Sequence, residues 1–93
     1  MIDILHYPEP GQEVTWTSQA VGTEKTKTGT VIAVVPAGKS VRKLVPPDTK
    51  SSHIKYDRDV SVYDRILVAV PAGKDGQITH YYAPRASVVA RED

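Results

Sequence analysis

The stretch AVVPAGK at residues 33–39, repeated in shorter form as AVPAGK at residues 69–74, decides how this chain is expected to fold. In each copy an apolar run ends at Pro-Ala-Gly-Lys. Proline presets φ for the first corner of a turn and glycine accepts the positive φ that closes it, whereas both residues interrupt a helix. Both copies therefore predict a β-strand that runs into a tight turn.

The composition fits one small globular domain, expected over residues 1–93 with its core in 10–91. Ninety-three residues allow a modest hydrophobic core. The chain has no cysteine, which excludes disulfides, thiol nucleophiles and cysteine-based zinc sites. A net charge of +1 argues against a strongly basic nucleic-acid binder. The first residues do not resemble a signal peptide, and no run reaches the ~18 apolar residues of a membrane-spanning helix, so we expect a cytoplasmic protein without a membrane partner.

Strand patterns recur along the chain, while helical apolar spacing is missing. Alternation in residues 13–17 puts Val14 and Trp16 on one face, and the unbroken apolar runs 31–35 and 66–70 predict burial on both faces. We expect a polar turn over 22–28 and a single helical turn over 83–86. The predicted strands are five: 13–17, 31–35, 66–70, 78–82 and 87–91.

The least regular part of the sequence is residues 39–64. Pro46-Pro47 cannot donate to a sheet ladder, so this part is predicted to be a loop, with one short strand over 53–56. A connection of this length is a candidate functional loop.

Five strands, the Pro10-Gly11 pair before the first, the long loop and the helical turn before the last strand resemble the SH3-like small β-barrels, including KOW and Tudor-type modules. The matching segments are PGQEV at 10–14, GTVI at 29–32 and PRASV at 84–88. The resemblance implies an all-β, five-stranded, partly open barrel with a long loop between strands 2 and 3. The order of the sequence segments, which ends with Tyr-Tyr-Ala-Pro at 81–84, also resembles that of small uncharacterised bacteriophage and prophage proteins. This second resemblance implies no activity.

One stretch formally satisfies a nucleotide-binding pattern: Ala33 followed after four residues by Gly38-Lys39-Ser40 matches the looser P-loop motif. That motif needs a helix whose N-terminal amides hold phosphates. Only five residues separate Ser40 from Pro46-Pro47, and in the second copy Asp75 replaces the serine. We therefore interpret both copies as turns, an interpretation that requires no helix after Ser40.

No catalytic or metal-binding pattern stands out. His6, His53 and His80 are far apart in sequence, and without cysteine a metal site would need carboxylates brought together by the fold. His80 alternates with apolar neighbours, which favours a half-buried strand histidine. Nucleophile elbows and paired carboxylates are absent from the sequence. We expect no catalytic residue, metal, cofactor or small-molecule substrate.

Basic residues concentrate in the irregular loop. Residues 39–58 contain six basic residues against two acidic ones, a net charge of +4. Lysine and arginine suffice for contacts to nucleic-acid phosphates, although the interleaved aromatic residues of single-strand binders are reduced here to Tyr56. Two interpretations stay open: a phosphate-contacting patch, or a solvated loop that contacts a protein.

Aromatic residues and a short repeat complete the candidates. Tyr56-Asp57-Arg58 recurs as Tyr63-Asp64-Arg65, either as a recognition surface with a forked arginine or as two solvated turns with local ion pairs. Trp16 is either a core residue or a ligand contact, with the core favoured. Alternation sends Tyr82 inward and Tyr81 outward.

These patterns predict a non-enzymatic binding or adaptor module, and the resemblance to phage proteins implies that a phage or prophage encodes it. It would contact another protein or self-assemble through an edge strand. The alternative is a nucleic-acid-binding accessory protein that uses loop 39–58. The candidate contact residues are Lys39, Arg42, Lys43, Lys55, Arg58 and Tyr81.

Overall fold

The computed structural model describes residues 7–20, 23–56 and 58–91, and its regular structure is all-β, as predicted. An open antiparallel sheet has the spatial order β4-β3-β2-β1. Its strands are Glu13–Ala20 (β1), Thr23–Val35 (β2), Arg65–Ala72 (β3) and Ile78–Tyr82 (β4). A two-residue segment, Ala90–Arg91 (β5), pairs with Val14 and Thr15 on the outer side of β1.

Single 3-10 turns are the helical elements of the described ranges. They are Arg42–Leu44, Ser51–His53 and Ala86–Val88. Within these ranges, therefore, the chain has no helix with the length and apolar character required to traverse a bilayer.

Strand β2 begins earlier than its sequence suggests. Residues 23–28 pair with residues 15–20 of β1, so the predicted polar turn over 22–28 was wrong for these residues. Gly22 lies outside the described residues. Threonine favours strands, and here Thr26 faces Thr17 with the hydroxyl oxygens 3.4 Å apart. The polarity of this stretch reflects exposure of a two-stranded ribbon and does not mark a turn.

Strand β2 passes unusually close to β3 at Gly29. A Cβ atom added there would lie 2.6 Å from the carbonyl oxygen of Ala69 and 2.6 Å from Cγ1 of Val68. Because real Cβ atoms do not approach other atoms so closely, only glycine fits this position. Two residues further on, the register with β3 shifts at a bulge between Val31 and Ala33.

The sheet is strongly curved and carries apolar clusters on both faces. Trp16 of β1 reaches Tyr82 of β4 with ring centroids 5.7 Å apart, although β2 and β3 lie between these strands. The first cluster contains Tyr7, Val14, Trp16, Val31, Ile66, Val68 and Ala86. The second contains Val35, Val41, Val45 and Leu67, so two of its members come from the long loop.

Burial on both faces is confirmed for the centre of β3, where Ile66, Leu67 and Val68 are fully buried. It is confirmed only in part for 31–35. Val31 and Val35 are buried, but Ile32 stands 36% exposed next to the bulge. The bulge adds a residue to β2 and so interrupts its alternation.

The first Pro-Ala-Gly-Lys stretch forms the predicted turn, in which the Lys39 amide donates to the Pro36 carbonyl and Gly38 has a φ of 84°. In the second copy the prediction was wrong for the first two residues, because Pro71 and Ala72 pair with β4; the turn begins at Gly73, which has a φ of 83°. The first copy leaves its strand at Val35, whereas β3 continues to Ala72. After Ser40 the chain makes only the three-residue turn Arg42–Leu44.

Three further element predictions were wrong in place or extent. The helical turn expected over 83–86 lies at Ala86–Val88, and the strand expected over 87–91 is reduced to Ala90–Arg91. The Ile66 amide donates to the Pro84 carbonyl, which holds this segment extended beside β3 and delays the turn. The strand expected over 53–56 is a 3-10 turn followed by one bridge from Ile54 to Tyr81.

Candidate binding surface

A buried arginine at the start of β3 holds the returning end of the long loop. Arg65 is only 3% exposed. Its guanidinium donates from Nη1 to the Arg58 carbonyl at 2.6 Å and from Nη2 to the Asp59 carbonyl at 2.9 Å, while the buried Nε has no hydrogen-bond partner among the residues that the structure describes. Two parallel donors of a rigid fork fix the direction of the backbone at residues 58–59.

The carboxylate of Asp59 joins the beginning of the loop to this fixed end. It accepts hydrogen bonds from the Ser40 hydroxyl, at 2.7 and 2.9 Å to its two oxygens, and from the Arg42 amide at 2.7 Å. The Val41 amide donates to the Asp59 carbonyl at 2.9 Å. The Arg42 amide and then the Ser40 hydroxyl hold the pKa of Asp59 below its ordinary value. Amides within the P-loop-like stretch are likewise bound inside the chain: the Gly38 amide donates to the Ser61 carbonyl and the Lys39 amide to the Pro36 carbonyl.

Asp64 secures the first Pro-Ala-Gly-Lys turn in the same manner. It accepts from the Ala37 amide and from the Tyr7 hydroxyl, each at 2.8 Å. These bonds lower the pKa of Asp64, and the same bond to Asp64, with burial, raises the pKa of Tyr7. In this copy of the Tyr-Asp-Arg repeat, Asp64 and Arg65 thus bind other parts of the chain, which fits neither of the two alternatives, a recognition surface or a solvated turn with a local ion pair.

Tyr63, the remaining member of that copy, has an arginine against its ring. The guanidinium carbon of Arg85 lies 4.1 Å from the ring centroid, and Tyr63 is 39% exposed. In the other copy, Asp57 lies outside the described residues.

The anchored loop and the end of β2 enclose an open groove of about 640 Å³. Four apolar residues line it together with two lysines, a serine and a glycine. The lining residues are Val34, Pro36, Leu44, Val60, Lys39, Lys43, Ser40 and Gly38.

The structure brings two of the predicted contact residues together: Lys39 and Lys43 both line this groove and both are exposed. Arg42 is exposed on the 3-10 turn that also carries Lys43. Arg58 has an exposed side chain at the returning end of the loop. Lys55 lies elsewhere, because its amide donates to the Tyr81 carbonyl at the edge of β4.

Tyr81 is placed differently from the prediction. Its ring packs against the second cluster and is half-buried, while Tyr82 packs against the first. The expectation that Tyr81 faces solvent was wrong because the loop covers that face of the sheet. Of the two alternatives for Trp16, the structure has the core position, with 5% exposure.

Sequence reasoning missed a histidine pair. His53 and His80 have ring centroids 5.8 Å apart, because the bridge from Ile54 to Tyr81 folds the loop onto β4. Burial, and then the positive charges of Lys55 and His53, lower the pKa of His80, which is half-buried as predicted. Across residues 7–20, 23–56 and 58–91, no three histidine or acidic side chains are arranged to hold a metal ion. His6 lies outside these ranges.

The sequence reasoning also missed the apolar part of the groove. Leu44 is 41% exposed and Val60 is 50% exposed, both in a loop that is otherwise largely polar. Val62, two residues beyond Val60, is 90% exposed. The sequence did contain a signal for this apolar surface, namely isolated apolar residues in the polar stretch 39–64. Sequence alone does not show which of these residues are buried in the core and which stay exposed.

Comparison of the chain with models of known protein families, with curated proteins and with solved structures gave no match in any of the three.

Proposed function

We propose that this chain is a binding module without enzyme activity, which docks on another protein through the groove between β2 and the loop. The observation that carries the proposal is the exposure of Leu44 and Val60 in that groove beside Lys39 and Lys43. An apolar centre with a polar margin is the usual composition of a protein interface. Apolar side chains gathered on a polar surface mark such sites.

The anchoring of the loop supports this proposal. Arg65, Asp59 and Asp64 fix the backbone around the groove through hydrogen bonds of 2.6–2.9 Å. A surface that is ordered before binding loses less conformational entropy when a partner docks. The groove therefore has the rigidity that a small recognition module needs.

The proposal also covers the detailed fold of the chain, its cellular location and its origin. We propose that the curved sheet is an SH3-like, partly open barrel in which β5 acts as the fifth strand. Support comes from the pairing of β5 with β1, the 3-10 turn Ala86–Val88 before it, and the contact of Trp16 with Tyr82. The absence of cysteine agrees with a reducing, cytoplasmic setting. A phage or prophage origin is proposed on the sequence resemblance alone.

The experiment that tests the function is selection from a random peptide library displayed on phage, with the purified chain as bait. We expect enriched peptides to bind the unchanged protein and to lose binding to Val60→Asp, which puts a charge in the groove. Ile78→Asp is the matched control, because Ile78 is 40% exposed on β4 and does not line the groove. Selection of no peptide, or of peptides that bind Val60→Asp equally well, would refute the proposal.

Two other partners are outcomes of the same series. Binding of a 20-nucleotide DNA that weakens steeply with salt and is unchanged by Val60→Asp would favour the nucleic-acid alternative. A concentration-dependent mass in sedimentation that Val60→Asp abolishes would show that the groove holds a second copy. Either result would mean that the partner is a nucleic acid or a second copy of this chain, and would refute the proposal of a separate protein partner.

A further inference from the structure

We infer that the groove accepts a peptide segment whose apolar side chains are flanked by aspartate or glutamate. The inference rests on the proposed function, since it assigns the chemistry of the partner at the same site. Its basis is the position of two lysines at a groove whose remaining large side chains are apolar.

Lys39 and Lys43 supply the charge. Lysine buries its aliphatic stem along apolar surface and keeps its ammonium group in water, so both can contact an apolar ligand and a carboxylate together. Arg42, on the same turn as Lys43, does not line the groove, so the charge comes from the two lysines. Charge complementarity therefore favours an acidic segment over a neutral or basic one.

The nearby carboxylates only partly balance this charge. Asp59 lies close enough for Lys43 to contribute to its lowered pKa, but its two oxygens already accept from Ser40 and from the Arg42 amide. The oxygens of Asp64 accept from Ala37 and Tyr7. The carboxylates of this region keep their charge but serve the loop's own structure, and the charged residues that line the groove are Lys39 and Lys43.

The apolar lining decides between a protein segment and a nucleic acid. Leu44 and Val60 gain from contact with aliphatic or aromatic side chains, and a sugar-phosphate backbone offers them little apolar surface. Tyr56 and Tyr81 pack against the second cluster, and the Arg85 guanidinium covers one face of the Tyr63 ring, so these aromatic residues have limited surface for stacking on bases.

The test compares matched peptides on matched variants. The best peptide from the library is resynthesised with glutamine and asparagine in place of its acidic residues, and both forms are titrated by fluorescence anisotropy at 50 and 500 mM salt. We expect the acidic form to bind about tenfold more tightly at low salt, since two exposed ion pairs each contribute up to about fivefold. This advantage should shrink at high salt.

The double variant Lys39→Gln/Lys43→Gln should lose that advantage, so that it binds the acidic and the neutral peptide equally, neither more tightly than the unchanged protein binds the neutral peptide. The pair Lys50→Gln/Lys74→Gln is the charge-matched control, because these exposed lysines do not line the groove. Equal binding of acidic and neutral peptides, both lost in Val60→Asp, would overturn this inference and leave the proposed function intact. Absence of any peptide that depends on Val60 would overturn both.

Discussion

Replacement of Gly29 by alanine tests the close approach of β2 and β3 on which the curvature of the sheet depends. The new Cβ would lie 2.6 Å from the Ala69 carbonyl oxygen, 2.6 Å from Val68 Cγ1 and 2.9 Å from Val70 Cγ2. The valine methyl groups can shift by rotation, but the carbonyl belongs to the backbone of β3. The strands must therefore separate locally, at a position that is buried and next to the β2 bulge.

The expected cost follows from two opposing effects. Overpacking of a close-packed region costs about 1–3 kcal/mol, and the backbone obstacle places Gly29→Ala at the upper end. Alanine restricts the unfolded chain and returns about 0.4–1 kcal/mol. We expect a net loss of about 2 kcal/mol in the free energy of unfolding, which corresponds to a fall in Tm of about 8–16 °C for a domain of this size.

Urea unfolding followed by tryptophan fluorescence measures this loss directly. Trp16 is the single tryptophan, is buried in the first cluster and contacts Tyr82, so its emission reports unfolding of the sheet. Gly38→Ala is the control, because Gly38 has a positive φ but nothing lies within 4 Å of an added Cβ. It should cost about 1 kcal/mol from backbone strain alone. A Gly29→Ala protein within about 0.5 kcal/mol of the unchanged chain would refute the close crossing.

The other predictions concern the anchors of the loop and its histidine pair. Arg65→Met should lower the free energy of unfolding by about 1–3 kcal/mol, since it leaves the Arg58 carbonyl without its donor and the Asp59 carbonyl with the Val41 amide alone, and amide exchange near residue 59 should quicken; unchanged exchange there would contradict the anchor role. Stability in urea should fall in acid below about pH 4, because Asp59 and Asp64 have folded pKa values below 3.8: their contribution is complete above the unfolded pKa and is lost as pH falls through the folded one. Asp59→Asn should make the stability in urea depend less on pH in this acid range. A pH profile identical to that of the unchanged protein would contradict this prediction. His80, whose folded pKa is also lowered, should make the protein less stable as pH falls below about 6.5, and His80→Gln should remove this loss; an unaltered slope between pH 7 and 5 would argue against the packing of His80 beside Lys55 and His53.

Local patterns were enough to predict the turns and the centres of the strands. The Pro-Ala-Gly-Lys turns depend on Pro and Gly within four residues, and the β3 centre on an uninterrupted apolar run. The extent of β2 was not predictable in this way, because residues 23–28 are polar on both faces and owe their strand conformation to pairing with β1. Alternation signals only strands with one buried face.

Long-range contacts explain what the sequence did not show about the site. Arg65 precedes an apolar run and resembles an ordinary exposed strand end, yet its fork holds the carbonyls of residues 58 and 59. His53 and His80 meet only because the loop is folded onto β4. Lys39 and Lys43 were predicted as contact residues, but Val60, which lies across the same groove, is distant from them in sequence.

Part of the long loop covers the second apolar face of the sheet, and the exposed residues of the loop do not contribute to that cover. Leu67 and Val35 need a cover, and Val41 and Val45, four residues apart around a 3-10 turn, provide it. Leu44 points away from that cluster and could be polar, as the exposed Lys43 beside it is, without any loss to the core. The core therefore does not require an apolar residue at this position. A partner that contacts Leu44 in the groove is an explanation of its apolar character that the Val60→Asp and lysine variants can test.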